Sequence, residues 1–169
     1  MTARADLLSR VVRDHHVVIE ARLDHRCRGG AGAGVHSYLG DGSMACWVVP
    51  PAAVTGPAEA DPPVGWAVDA EVVTQPVPLR VGARWGEHDA ADPEQFWRHW
   101  CATEVLAKLA DVPVVLLLRG GPVMVTPVRR GPLEVHWAAQ RVGDVLVVHG
   151  LAWTTRTSPS AHLRTREAT

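Results

Sequence analysis

The sequence predicts an α+β domain of two similar halves, each a helix packed on a small, mostly antiparallel sheet. Apolar runs separated by Gly-Asp turns read as hairpins. Two further segments carry helical periodicity, and one order of motifs occurs twice. Each half offers a helix, a strand and then a hairpin that opens with Val-His and turns at Gly-Asp: Val35-His36 with Gly40-Asp41, and Val135-His136 with Gly143-Asp144. The halves span about residues 1–63 and 64–153 of a single domain, 1–153, and a polar tail follows at 154–169. Two such halves in one chain place a cleft at their seam, where ligands commonly sit.

Taken in order, residues 4–14 pair Leu7-Leu8 with Val11-Val12 at helical spacing, a short amphipathic helix. Val17 to Leu23 alternates as a strand does. Cys27 to Gly34 is glycine-rich loop without the lysine or glycine spacing of a phosphate loop. Val35–Tyr38 and Ser43–Val49 form a hairpin across Gly40-Asp41-Gly42. Pro50–Pro63 has too many prolines for regular structure and reads as a surface linker. Val64–Val73 is a strand and 75–91 is irregular.

Asp92 to Lys108 is the strongest helix: Asp92 suits the N-cap, Pro93 the first helical position, and no Pro or Gly interrupts it before Pro113. Val114–Leu118 reads as a buried strand that turns at Gly120-Gly121-Pro122 into Val123–Val128, and Leu133–Ala139 with Asp144–Trp153 forms a last hairpin.

Composition excludes several classes. A net charge of −1 gives no basic footprint for nucleic acid. No apolar run is long enough to span a membrane and no export leader is visible, so a cytoplasmic protein is expected. Three cysteines, Cys27, Cys46 and Cys101, are too few and scattered for a disulfide framework or a closed zinc site. Seven tryptophans stand against one Phe and one Tyr, which suggests core filling and nothing more specific.

Chemistry concentrates in two segments. Asp69 and Glu71, two apart on a strand, leave the same face of an apolar run, where like charges repel unless a cation lies between them. A hard divalent ion such as Mg2+ suits carboxylate oxygens, and Glu104 could supply a third ligand. Trp100, Glu104 and Lys108 recur at intervals of four and share one helix stripe. The plainer readings are an outward acidic strand edge and an ordinary helix-surface ion pair. His15-His16, His88 and His99 read as solvated or seam positions, and Cys101 as an inert core thiol.

Val68-Asp69-Ala70-Glu71 resembles the Val-Asp-x-Glu motif of the 4'-phosphopantetheinyl transferases, and Trp100-Cys101-Ala102-Thr103-Glu104-Val105-Leu106-Ala107-Lys108 is similar to their Trp-x-x-Lys-Glu-Ala-x-x-Lys helix. Val35-His36-Ser37 is similar to the Ser-His-Ser motif of the larger, surfactin-type members, and Leu7–Arg13 to their Arg-containing helix. The resemblance implies a transferase that moves phosphopantetheine from coenzyme A, its co-substrate, to a serine of an acyl or peptidyl carrier protein. Asp69, Glu71 and Glu104 would bind Mg2+, with Glu104 and Lys108 catalytic, and His36, Arg10 and Lys108 holding coenzyme A phosphates. A monomer is implied, with no nucleic-acid or membrane partner. Thr103 stands where the family has a basic residue and Val105 where it has alanine. These departures motivate an alternative: a diverged protein of the same fold, repurposed as a biosynthetic enzyme or accessory for a small or carrier-bound substrate.

Overall fold

The computed structural model describes residues 2–20, 33–54, 62–85 and 92–155. Within them the helices are α1 (Ala3–Asp14), α2 (Pro51–Val54), α3 (Leu79–Trp85) and α4 (Pro93–Leu109), and the strands are β1 (Val18–Glu20), β2 (Ala33–Tyr38), β3 (Met44–Val49), β4 (Gly65–Val72), β5 (Val128–Arg130), β6 (Leu133–Val142) and β7 (Val145–Thr154). They build an α+β fold with two antiparallel sheets, ordered β1-β3-β2 and β4-β7-β6-β5. The first three strands of each sheet are wound alike: a leading strand and a following hairpin, with the hairpin's last strand in the middle.

β7 is the centre of the molecule, with every residue from Val145 to Trp153 buried. Val145, Val147, Leu151 and Trp153 pack with Leu7, Leu8 and Val11 of α1 and with Ala45, Trp47 and Val49 of β3. Val148 and Ala152, on its other face, pack with Cys101, Ala102 and Val105 of α4. A strand covered on both faces explains the unbroken apolar run in its sequence. The middle of β7 is Gly150 because α4 lies directly on it: a Cβ there would overlap Val105 Cγ1.

α4 starts as its sequence requires. Asp92 accepts hydrogen bonds from the backbone N–H groups of Glu94 and Gln95 at 3.1 and 3.2 Å, and Pro93 occupies the first turn.

Five sequence expectations need correction. The helix of the first half does not keep to its own sheet. Arg4 of α1 donates to Glu134 of β6 at 2.8 Å and lies over the Trp153 ring at 5.3 Å, so α1 is pinned across the second sheet. Arg129 reaches the other Glu134 oxygen at 2.8 Å and His136 approaches at 3.0 Å. The His136 hydrogen bond, then those from Arg4 and Arg129, hold the Glu134 carboxyl down at about 2.

Val114–Leu118 is not a buried strand but part of two short 3-10 turns with Val115 and Leu116 exposed, because no neighbouring strand edge pairs with it. Its apolar run continues into Met124 and Val125, also exposed, and β5 is confined to Val128–Arg130. The irregular stretch 75–91 contains α3, whose Val81 and Trp85 pack against Phe96 and Trp97. One helical turn, α2, opens the proline-rich segment, with Pro51 at its start, where proline costs no hydrogen bond. The cysteine expectation needs no such change: Cys46 is disulfide-bonded and Cys101 is a free buried thiol, and one crosslink builds no framework.

Ala33 and Gly34, expected at the end of the Cys27–Gly34 loop, belong instead to β2, where they pair with Val49 and Val48; the rest of that loop, His88 and the tail beyond Thr155 lie outside the described residues. Among those residues, no helix is long and apolar enough to cross a membrane.

Candidate functional site

β4 alternates between two environments. Val68, Ala70 and Val72 face the core shared with the first sheet, so Ala67, Asp69 and Glu71 face α4. On α4 the residues that meet them are Cys101, Glu104 and Lys108, spaced three and four apart on one side of the helix.

Asp69 is buried, at 5% exposure. Its Oδ1 accepts two hydrogen bonds, from Ser37 Oγ on β2 and from Lys108 Nζ, both at 2.8 Å. Lys108 Nζ also donates to the Val68 carbonyl at 2.9 Å. One carboxylate oxygen thus ties β2 of the first sheet and α4 to β4 of the second. Asp69 Oδ2 is buried and, among the described residues, receives no N–H or O–H donor; the weakly donating Cys101 thiol lies against the same carboxylate. A buried carboxylate oxygen without such a donor is costly and calls for an explanation.

Glu71 is half-buried, and its Oε2 accepts from Gln75 Nε2 at 2.6 Å. Burial pushes its carboxyl up to about 7; the charges of Asp69 and Glu104 add to the rise, and Gln75 and Lys108 oppose it. Glu104 is raised as well, by burial first and then by Asp69, against Lys108. Burial first, then the Asp69 charge and the thiol's own hydrogen bond to that carboxylate, raise Cys101, which agrees with an inert core cysteine. The three acids therefore stand within electrostatic reach of one another across the β4–α4 interface, with one ammonium among them.

Two depressions of about 310 Å3 flank this cluster. The first is aromatic: Tyr38, Glu71, Gln75, Pro78, Trp97 and Trp100 line it. Trp97 also fixes the chain that supplies Gln75, donating Nε1–H to the Gln75 carbonyl at 3.3 Å. The second is lined by Glu104, Lys108, Asp111 and Val112 to Val114. Depressions of this size are adequate for part of an extended ligand.

The site thus gathers Asp69, Glu71, Glu104 and Lys108. It does not gather the other two residues that the sequence singled out. His36 is exposed on β2, on the opposite face from Ser37, with its ring edge-on to Tyr38 at 5.2 Å; Tyr38, not His36, lines the aromatic depression. Arg10 is exposed on α1 and lines a separate depression with Asp14, His15 and Ala53.

His99 is buried rather than on the surface. Together with Met124 and Trp137 it lines a fourth depression, at the start of α4. Thr103 is fully buried; its hydroxyl donates to the His99 carbonyl at 2.7 Å and accepts from the Val123 N–H at 3.1 Å. That position clamps the 121–123 segment onto α4 and borders neither flanking depression.

Among the described residues, no group of three or more His, Cys, Asp or Glu side chains is arranged to hold a metal ion. The reason is local: Asp69 is engaged by Ser37 and Lys108, and Glu71 by Gln75. The donor set itself suits a hard cation, because it consists of carboxylate oxygens and one of them, Asp69 Oδ2, is buried without an N–H or O–H donor.

Gln75 was not legible as a site residue, and Ser37, though part of the Val35-His36-Ser37 motif, was not legible as a partner of Asp69, since only the fold brings them to the acids. Lys108 carried a signal that composition alone reveals. It is the one lysine among 17 cationic side chains, the rest being arginine. Comparison with family models, curated proteins and solved structures finds no match to this chain.

Proposed function

We propose that this protein is a 4'-phosphopantetheinyl transferase that moves phosphopantetheine from coenzyme A to a serine of an acyl or peptidyl carrier protein. The reading is carried by one observation: Asp69 and Glu71 on β4 meet Glu104 and Lys108 on α4, where burial and then the Asp69 charge raise the proton affinity of Glu71 and Glu104.

Asp69, Glu71 and Glu104 are the residues that would hold Mg2+. When bound, the ion would neutralise the pyrophosphate of coenzyme A and orient it. The chain's own groups supply the rest. Glu104, on the open side beside Lys108, accepts the proton of the serine hydroxyl; its raised proton affinity brings it nearer to neutrality, where a general base works best. The serine oxygen forms its bond to the phosphorus next to pantetheine, the bond to 3',5'-ADP breaks, and Lys108 steadies the departing phosphate charge. Tyr38, Trp97 and Trp100 give the other depression apolar walls, suited to an uncharged arm and to excluding water. The reading includes a monomer; the Cys46 disulfide is uncommon in reducing compartments, so the cytoplasmic placement carries no part of the argument.

A ligand that binds only the native state raises its melting temperature. Coenzyme A titrated in Mg2+ is expected to raise Tm for the wild-type protein and to leave Asp69→Asn unmoved. No rise for the wild type would contradict the reading.

A second reading draws support from the Asp69–Lys108 ion pair, which neutralises the buried carboxylate without a metal. It is a protein of the same organisation repurposed as a biosynthetic enzyme or accessory for a small or carrier-bound substrate. Retention of activity in Glu104→Gln and Asp69→Asn would favour it.

A further inference from the structure

We propose that Lys108 is an exchangeable counter-ion: its ammonium neutralises Asp69 in the empty site and is displaced when a divalent cation enters, which frees it for substrate phosphate. The inference rests on the metal-dependent reading above and assigns Lys108 two successive partners.

Four observations carry it. The ammonium makes its ion pair with Asp69 Oδ1, while Oδ2 of the same carboxylate is buried and receives no N–H or O–H donor. A cation that engaged both oxygens would satisfy an atom that the lysine leaves orphaned. The Lys108 side chain is 35% exposed and that of Asp69 only 7%, so the lysine can leave along its own stem while the carboxylate stays. The depression lined by Lys108, Glu104 and Asp111 gives the released ammonium a place to go without repacking the core.

The residue type is the fourth observation. In a chain whose other cations are all arginines, position 108 is a lysine. A guanidinium would grip the carboxylate through two parallel hydrogen bonds, whereas an ammonium is a point charge on a flexible stem and exchanges more readily. Charge balance points the same way. A divalent ion would supply the charge that lets all three acids stand as carboxylates, and the phosphate then becomes the anion that Lys108 neutralises.

Because Lys108 is the only lysine, an amine-reactive reagent has one side-chain target, with the terminal α-amino group as internal control. Reductive methylation of the whole chain, followed by peptide mass analysis, is to be run with and without Mg2+ alone. The expected result is a several-fold faster modification of Lys108 in Mg2+, with the α-amino rate unchanged.

In parallel, the Mg2+-induced rise in Tm is expected to be larger for Lys108→Met than for wild type and smaller for Lys108→Arg. The wild-type labelling and the arginine variant keep the test decisive if Lys108→Met does not fold. If Mg2+ raises the wild-type Tm but leaves Lys108 labelling unchanged, the lysine stays on Asp69 and the exchange is overturned while the metal site stands. If Mg2+ alters neither Tm nor labelling, the metal site itself fails and the exchange falls with it.

Discussion

Lowering the pH from 7 to about 4.5 is expected to weaken the wild-type protein more than its His149→Met variant. His149 is fully buried in the middle of β7, its ring edge-on to Trp47 of β3 at 4.6 Å. Among the described residues neither ring nitrogen has a hydrogen-bond partner. Burial therefore holds the imidazole neutral, with its proton affinity pushed down from 6.5 to about 4.

The unfolded chain protonates His149 near 6.5, whereas the folded one resists until about 4. Stability from this group is therefore complete above the unfolded value. It is lost as pH falls towards the folded one, and the gap is worth about 3 kcal/mol. Glu134 contributes in a separate, lower window, between 4.5 and about 2, where its depressed carboxylate is protonated. Glu71 contributes with the opposite sign, so the difference between wild type and variant, not the raw slope, isolates His149. Urea midpoints at the two pH values measure it. An equal loss in both proteins would show that His149 is not held neutral. The variant is also expected to gain stability at pH 7, because a flexible apolar side chain removes two unpartnered buried nitrogens.

Replacing Glu71 by Gln is expected to stabilise the metal-free protein above pH 7 while weakening any response to Mg2+. Folded Glu71 titrates at about 7 against 4.5 for an unperturbed carboxylate. For a carboxylate raised in this way, folding is unpenalised below the unfolded value and loses stability as pH rises through the folded one. The side chain is partly open to solvent, which screens the penalty, so about 1–2 kcal/mol is the expected gain at pH 8. At pH 4.5 the gain should vanish. A residue that destabilises its own fold is what a site kept for binding looks like. Destabilisation by Glu71→Gln at pH 8 would instead mark Glu71 as a structural partner of Gln75.

The sequence made α4 legible to its first residues because the cap and the N1 proline are local signals with local causes. It placed Asp69 and Glu71 on one face for the same reason, since strand alternation does not depend on neighbours. What it could not supply was tertiary. Val114–Leu118 is as apolar as a core strand, but whether such a run is buried depends on a partner edge that periodicity does not encode. α3 was hidden by Gly82 and the surrounding prolines, and it exists because Val81 and Trp85 find Phe96 and Trp97. Glu104 and Lys108 read as a helix-surface pair, yet the ammonium crosses to Asp69, 39 residues away in sequence. Gln75 gave no warning at all, and Ser37 stood in a motif quoted for His36, because each acquires its role from the carboxylate that folding brings to it.

The claim on which the rest depends is that the acids of β4 and α4 serve transfer of phosphopantetheine to a carrier protein. The most direct measurement is the intact mass of apo acyl and peptidyl carrier proteins after incubation with this protein, coenzyme A and Mg2+. The account predicts that a carrier gains the mass of one phosphopantetheine, on serine, and that the gain disappears with Asp69→Asn. Unchanged mass across a panel of carriers that a known transferase modifies would contradict it.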